Sequence, residues 1–149
     1  VGEFTSMSAS ITLLQIKKDR LTITTETLRK QFGSDTLYIF AIRLRRLIVI
    51  GRLDFNQAPE EAAARVMAKF GEQAEQQPEV HTLNSAYINF SKKWLEEAGR
   101  AEGDLAFSVV SDSDSSIMAI EFLGPDQLLM PSVSRWIIPA QDTEADATQ

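Results

Sequence analysis

The chain has 149 residues, of which 44% are hydrophobic, and its formal net charge is −6. This length suits one domain or two very small ones sharing a core, and no apolar run approaches the roughly 18 residues needed to cross a bilayer. Cysteine is absent and His81 is the one histidine. Disulfides and thiolate chemistry are therefore excluded, and a transition-metal site is not expected.

The first fifty residues predict a compact β-rich unit. Residues 11–16 favour a strand, residues 17–20 form a polar turn, and the alternation in residues 21–24 is typical of a half-buried strand. Residues 25–32 predict a short helix with Leu28 and Phe32 on one face, which Gly33 ends in the left-handed conformation. We expect residues 1–6 to be a cloning remnant, with Met7 as the native start and no signal peptide.

An arginine cluster separates two apolar runs, residues 36–42 and 47–50. The runs predict either a hairpin with Arg43, Arg45 and Arg46 at or beside its tip, or one long strand on which Arg43 and Arg45 share a face. Repulsion among these guanidinium groups costs free energy, which a bound anion or carboxylates from elsewhere in the chain would relieve.

A helix is predicted to begin at Pro59, because proline is favoured at the first helical position. Its apolar stripe continues to Ala74, and residues 76–79 end it. Strands then follow at residues 80–83 and 86–90, and a helix capped by Ser91 ends at Gly99. Residues 105–110 and 117–122 form a second strand pair around an Asp/Ser-rich turn that lacks the spacing of a calcium loop. Short strands are predicted at 128–130 and 133–138, before a polar, acidic tail expected to be disordered.

The two halves repeat one order of elements: strands, a short helix, glycine, a turn and a strand pair. Ile23 matches Ile88, and Gly33 matches Gly99. We therefore divide the chain into a first unit (7–56), a helical linker (57–79), a second unit (80–124), an extension (125–140) and a tail (141–149).

Residues 87–99, followed by Glu102-Gly103-Asp104-Leu105, resemble the swapped-hairpin unit of AbrB, MazE and MraZ-type proteins, and residues 20–23 with Phe32-Gly33 are similar. The resemblance implies an α+β, mainly β fold: tandem swapped-hairpin β-barrel units with short helices, plus one longer helix between them. It leaves open whether the units pair within one chain or across a homodimer. Members are DNA-binding regulators or antitoxins, and Arg20 falls on the arginine of the family's Gly-Arg signature.

Charge is divided unevenly, since residues 1–52 carry a net +5 and the remainder −11. A basic half joined to an acidic half indicates contact with a polyanion. Phosphate binding requires flexible cations on a rigid frame, and the first unit supplies them. The predicted DNA-binding residues are Lys17, Lys18, Arg20, Arg43, Arg45 and Arg46.

We therefore expect a cytoplasmic, AbrB-like transcriptional regulator that binds double-stranded DNA as a homodimer, without a cofactor. One alternative is an antitoxin or inhibitor that binds a protein partner through the acidic second half and tail. Another is an oligomerisation module in which the arginine tip of one subunit docks on Asp112 and Asp114 of the next. No phosphate loop, nucleophile elbow or ligand cluster points to an enzyme.

Overall fold

The computed structural model describes residues 9–45, 47–74, 76–111 and 114–124. In chain order the strands and helices are β1 (Ala9–Leu14), β2 (Ile16–Lys17), β3 (Arg20–Thr24), α1 (Thr25–Phe32), β4 (Tyr38–Leu44), β5 (Leu47–Leu53), α2 (Pro59–Phe70), β6 (Glu79–Thr82), β7 (Tyr87–Phe90), α3 (Lys92–Glu97), β8 (Leu105–Ser111) and β9 (Asp114–Leu123). The predicted strands beyond residue 124, the acidic tail and residues 1–6 lie outside the described residues.

The strands form two antiparallel sheets. Six strands make the large sheet in the order β1-β8-β9-β5-β4-β6, and three make the small sheet in the order β2-β3-β7. The predicted α+β, mainly β class is therefore confirmed. The predicted barrel is not, since the described strands form two open sheets rather than one closed sheet.

The two halves of the chain pair reciprocally. The strand entering the first half, β1, pairs with β8 of the second, while β6, entering the second half, pairs with β4 of the first. The equivalent strands β3 and β7 pair with each other, as do β5 and β9. The repeated order of elements thus has a structural counterpart, because strands of one half pair with strands of the other in both sheets.

The large sheet buries side chains on both faces. On one face it packs against the small sheet, α1 and α3, around residues such as Ile48, Ile120 and Phe90. On the other face α2 covers β4 and β5 through Ala62, Ala63 and Val66. Side chains along a strand alternate between faces, so the apolar runs of β4 and β5 fill both clusters.

The helix ends were predicted only in part. The helix α1 spans the predicted residues and is capped by the Thr24 hydroxyl, which accepts from the Thr27 N–H at 3.1 Å. Gly33 ends it with φ 120° and ψ 144°, so the predicted left-handed conformation is wrong there. The helix α2 ends earlier than predicted, at Gly71, which adopts that conformation with φ 68° and ψ 26°. Ser91 precedes α3 without a capping side-chain hydrogen bond.

The two apolar runs around the arginine cluster form a hairpin. Tyr38 pairs with Leu53 at one end of β4 and β5, and Leu44 pairs with Leu47 at the other. The hairpin prediction is therefore confirmed, and the alternative of one long strand is wrong.

Arg52 on β5 joins the hairpin to the end of α1. Its Nη1 donates to the Phe32 carbonyl at 2.9 Å and to Asp35 Oδ1 at 3.1 Å, while its Nε donates to Asp54 Oδ1 at 3.3 Å. The Arg52 hydrogen bond lowers the pKa of Asp35 from its usual value.

This pair predicts a pH effect. The pKa of Asp35 is lower in the folded state than in the unfolded state, so ionised Asp35 stabilises the folded protein. This stabilisation is fully present above the unfolded-state pKa and is lost as the pH falls through the folded-state pKa. We expect Arg52→Gln to raise the pKa of Asp35 toward its usual value, because Arg52 is the largest cause of the lowering, as NMR titration of the carboxyl carbon would measure. An unchanged titration curve would mean that Arg52 does not hold this carboxylate.

Candidate nucleic-acid interface

The outer face of the small sheet is polar because β3 alternates strictly. Leu21 and Ile23 are buried against the large sheet, whereas Arg20, Thr22 and Thr24 are exposed on the other side. Strand β7 continues both faces: Ile88 is buried, and Asn89 lies beside Thr22. The side chains of Thr22 and Asn89 hydrogen-bond across the strands at 2.5 Å.

A two-residue turn brings cations to one end of this face. Lys17 pairs with Arg20, and between them Lys18 and Asp19 adopt positive φ angles of 48° and 62°. Positive φ at both central residues is the geometry of a primed hairpin turn, which asparagine and glycine favour. Lysine has no such preference, so the turn holds Lys18 in a backbone conformation that costs free energy.

The second half contributes further cations around the same turn. Asp19 Oδ1 lies 3.6 Å from Arg100 Nη1, and Asp19 Oδ2 lies 3.9 Å from Lys92 Nζ. The side chain of Lys92 is 63% exposed, so it remains open to solvent beside the turn. Two cations of the second half thus lie near Asp19, in a turn that also carries Lys17, Lys18 and Arg20, so the local charge is positive.

A shallow cavity of about 450 Å³ runs over this outer face. The first half lines it with Lys17, Arg20 and Thr22, and the second half with Tyr87 and Asn89. Tyr87 is 52% exposed. The cavity therefore combines cations, hydrogen-bonding groups and one aromatic ring, which suits contact with a phosphate backbone and the edges of bases. We call this surface the basic sheet face.

Arg43 lies elsewhere and is largely buried. Its side chain is 8% exposed, forms an ion pair with Glu97, and lies 5.2 Å from the ring centroid of Trp94. The ring of Trp94 in turn stacks on Phe90 at 4.8 Å. The sequence left open whether a bound anion or a carboxylate from elsewhere in the chain relieves the repulsion among the arginines. For Arg43 it is a carboxylate, that of Glu97.

Arg45 is exposed at the hairpin end, and its backbone N–H donates to Glu72 at 3.3 Å. With Arg43 it lines a separate cavity of about 420 Å³ that also contains Glu72 and Glu97. The carboxylates of this cavity make it less suited to an anion than the basic sheet face. Arg46 lies outside the described residues.

The structure thus separates the six predicted residues. Lys17 and Arg20 lie on the basic sheet face and Lys18 lies in the turn at its end, while Arg43 and Arg45 line the other cavity. Sequence reasoning did not include Tyr87 and Asn89. The internal repeat is the sequence feature that could have indicated them. If the equivalent strands β3 and β7 pair with each other, their outward side chains lie on one surface.

Comparison with models of protein families, with curated proteins and with solved structures gave no match. Within the described residues, no helix is long and apolar enough to span a membrane. That part of the chain also lacks any group of three or more His, Asp or Glu side chains placed to hold a metal ion. His81 is half-buried in β6, with its ring edge against Phe90 and its Nε2 2.6 Å from Glu79.

Proposed function

We propose that this chain is a DNA-binding transcriptional regulator of AbrB-like type that contacts double-stranded DNA through the basic sheet face. The observation that carries the proposal is the convergence of Lys17, Lys18 and Arg20 with Lys92 and Arg100 around one turn. Each phosphate contact that these cations make releases counterions, which favours binding at low salt.

The strained turn supports the same assignment. A non-glycine residue with positive φ persists only where the surrounding structure holds it, and such residues cluster at functional sites. Arg100 and Lys92 hold Asp19, and Asp19 keeps Lys18 at the tip of the turn. Lys18 is exposed in this turn, beside the face, and we propose that it contacts a phosphate there.

Reciprocal strand pairing supports a swapped-hairpin relation between the halves. In that arrangement two units complete each other, and here β1 and β6 each cross to the other half. We propose that the two units pair within one chain and present one asymmetric basic face.

The proposal assigns different roles to the predicted arginines. Arg20 contacts DNA, whereas Arg43 is a structural residue because its guanidinium is already paired with Glu97 and stacked on Trp94. The antitoxin or inhibitor alternative rests largely on residues 141–149, which the structure does not describe, and it stays a prediction.

Substitution of the basic face tests the function. We expect Lys17→Ala with Arg20→Ala to weaken binding to random-sequence duplex DNA about tenfold at moderate salt. The slope of log affinity against log salt should become shallower by about 0.9 for each phosphate that the variant no longer neutralises. Fluorescence anisotropy over a salt series measures both quantities.

A matched control comes from α2, on the far side of the large sheet. Arg65→Ala with Lys69→Ala removes the same charge from exposed positions. This control should weaken binding much less than the double substitution on the face. Equal weakening in both variants would mean that DNA binding depends on net charge and not on the basic sheet face. If the unaltered chain does not bind DNA at low salt, the proposal is refuted.

A further inference from the structure

Strand β1 is an edge strand of the large sheet that the described residues form. Among the described residues it pairs with β8 alone and ends the large sheet. Ile11 and Leu13 lie two residues apart on one face and are 53% and 58% exposed. The sequence of β1, Ala-Ser-Ile-Thr-Leu-Leu, contains neither a charged residue nor proline. A free edge of this kind is a template for pairing with another strand.

The opposite edge of the same sheet is built differently. Strand β6 occupies the equivalent position in the internal repeat, and it too has one partner among the described strands. It begins at Glu79, directly after Pro78, and includes His81. Proline and charged side chains are devices that prevent pairing at an edge. Of the two edges that the described strands form, the β6 edge therefore carries such residues and the β1 edge does not.

We propose that β1 pairs with β1 of a second copy of this chain, which makes the two large sheets continuous. Two uncharged strands meet without electrostatic repulsion, which matters for a chain with a net charge of −6. Pairing of β1 with β6 of another copy would instead meet Glu79 and Pro78. It would also join unlike surfaces, which builds open assemblies, whereas joining β1 to itself gives a closed dimer.

Two-fold symmetry fixes the register. Antiparallel neighbours in one sheet are related by an axis perpendicular to it, so residues that oppose each other must lie on the same face. The register that buries both exposed apolar side chains sets Ile11 against Leu13 of the second copy. Thr12 then lies on the axis, opposite Thr12 of that copy.

The dimer would place two copies of the basic sheet face on one assembly. Lys17 is five residues from the axis, so the two Lys17 Cα atoms are separated by at most about 33 Å along the strands at about 3.3 Å per residue. This limit does not exceed one turn of B-DNA, about 34 Å, so the dimer could place both faces on half-sites no more than one turn apart. This consequence rests on the proposed function, whereas the dimer itself is tested without DNA.

Single cysteines provide the test, because the chain has none of its own. In Thr12→Cys the two Cα atoms would be about 4.5–5.5 Å apart, within the range of a disulfide. In the control Ser10→Cys, each cysteine faces Leu14 of the other copy and lies about 14 Å from its equivalent. Mild oxidation should cross-link the first variant and not the second, as read on a non-reducing gel.

The mass in solution is the second measurement. We expect the unaltered chain to have twice the 16.6 kDa mass of one chain by light scattering. Ile11→Lys with Leu13→Lys should give one chain, while Val80→Lys, at an exposed position on β6, should leave the dimer intact. Circular dichroism checks that each variant is folded.

Several outcomes would overturn the proposal. An unaltered chain with the mass of one copy would mean that β1 does not pair with a second copy. A dimer in which Thr12→Cys does not cross-link would put the interface elsewhere. Equal cross-linking of both cysteine variants would show random collision rather than the stated register.

Discussion

Gly51→Val is expected to destabilise the fold by about 3 kcal/mol, although the same change in an ordinary strand would stabilise it. Gly51 is buried in β5 and pairs with Phe40 of β4. A Cβ atom built on Gly51 would lie 2.5 Å from both Cε1 and Cζ of the Phe40 ring. The ring has little room to move because it is 3% exposed and packed among residues that α2 covers.

A second substitution isolates this cause. In Phe40→Leu with Gly51→Val the ring that meets the new side chain is gone, so the valine should cost much less than in the unaltered background. Urea unfolding of the single and double variants gives the coupling energy, which we expect to exceed about 1 kcal/mol. Additive effects would show that the ring does not explain the destabilisation.

Gly71→Ala serves as the backbone control. Gly71 has φ 68°, and a Cβ there meets nothing within 4 Å. Its replacement should therefore lower the free energy of unfolding only by the cost of placing alanine in the left-handed conformation, about 1 kcal/mol. A cost as large as that of Gly51→Val would mean that glycine conformation, and not contact with Phe40, dominates in this chain.

The sequence was sufficient to predict most strands and helices, because their patterns are local. The alternation around Ile23 and the helix with Leu28 and Phe32 on one face were both predicted correctly. The end of α2 was missed because the apolar stripe continues past Gly71 to Ala74. Ala74 packs on the cluster beneath α2 without being part of the helix. A hydrophobic pattern reports burial, and it does not report whether the backbone is still helical.

The candidate site was harder to predict, because it depends on which strands become neighbours. The pairing of β3 with β7 and the contact of Arg100 with Asp19 cannot be predicted from a local sequence pattern, because the partners are far apart in the chain. The net charge of a segment also does not distinguish an exposed arginine from one that is paired inside the protein. Arg20 and Arg43 are both cations in a basic half, yet one is exposed and the other is buried beside Glu97.

Arg43→Ala is expected to destabilise the fold by about 2 kcal/mol while leaving DNA affinity within about twofold. The substitution removes the ion pair with Glu97 and the packing on Trp94. Breaking a fully buried pair costs about 3–5 kcal/mol, but Glu97 is 33% exposed and keeps Lys93 at 4.0 Å. The destabilisation should therefore be smaller than that range, as urea unfolding would measure.

Arg45→Ala is the matched control for this substitution, since Arg45 follows two residues later and is exposed. Its removal should change stability by less than about 0.5 kcal/mol. The converse variant, Arg20→Ala, should weaken DNA binding without a comparable fall in stability, because Arg20 is exposed at the end of β3. If Arg43→Ala weakened DNA binding as much as Arg20→Ala in fully folded protein, the hairpin and not the basic sheet face would carry the contact. If instead Arg43→Ala lowers only stability and Arg20→Ala lowers only DNA affinity, the two cations have different roles. Arg43 then holds the two halves together, and Arg20 contacts the phosphates.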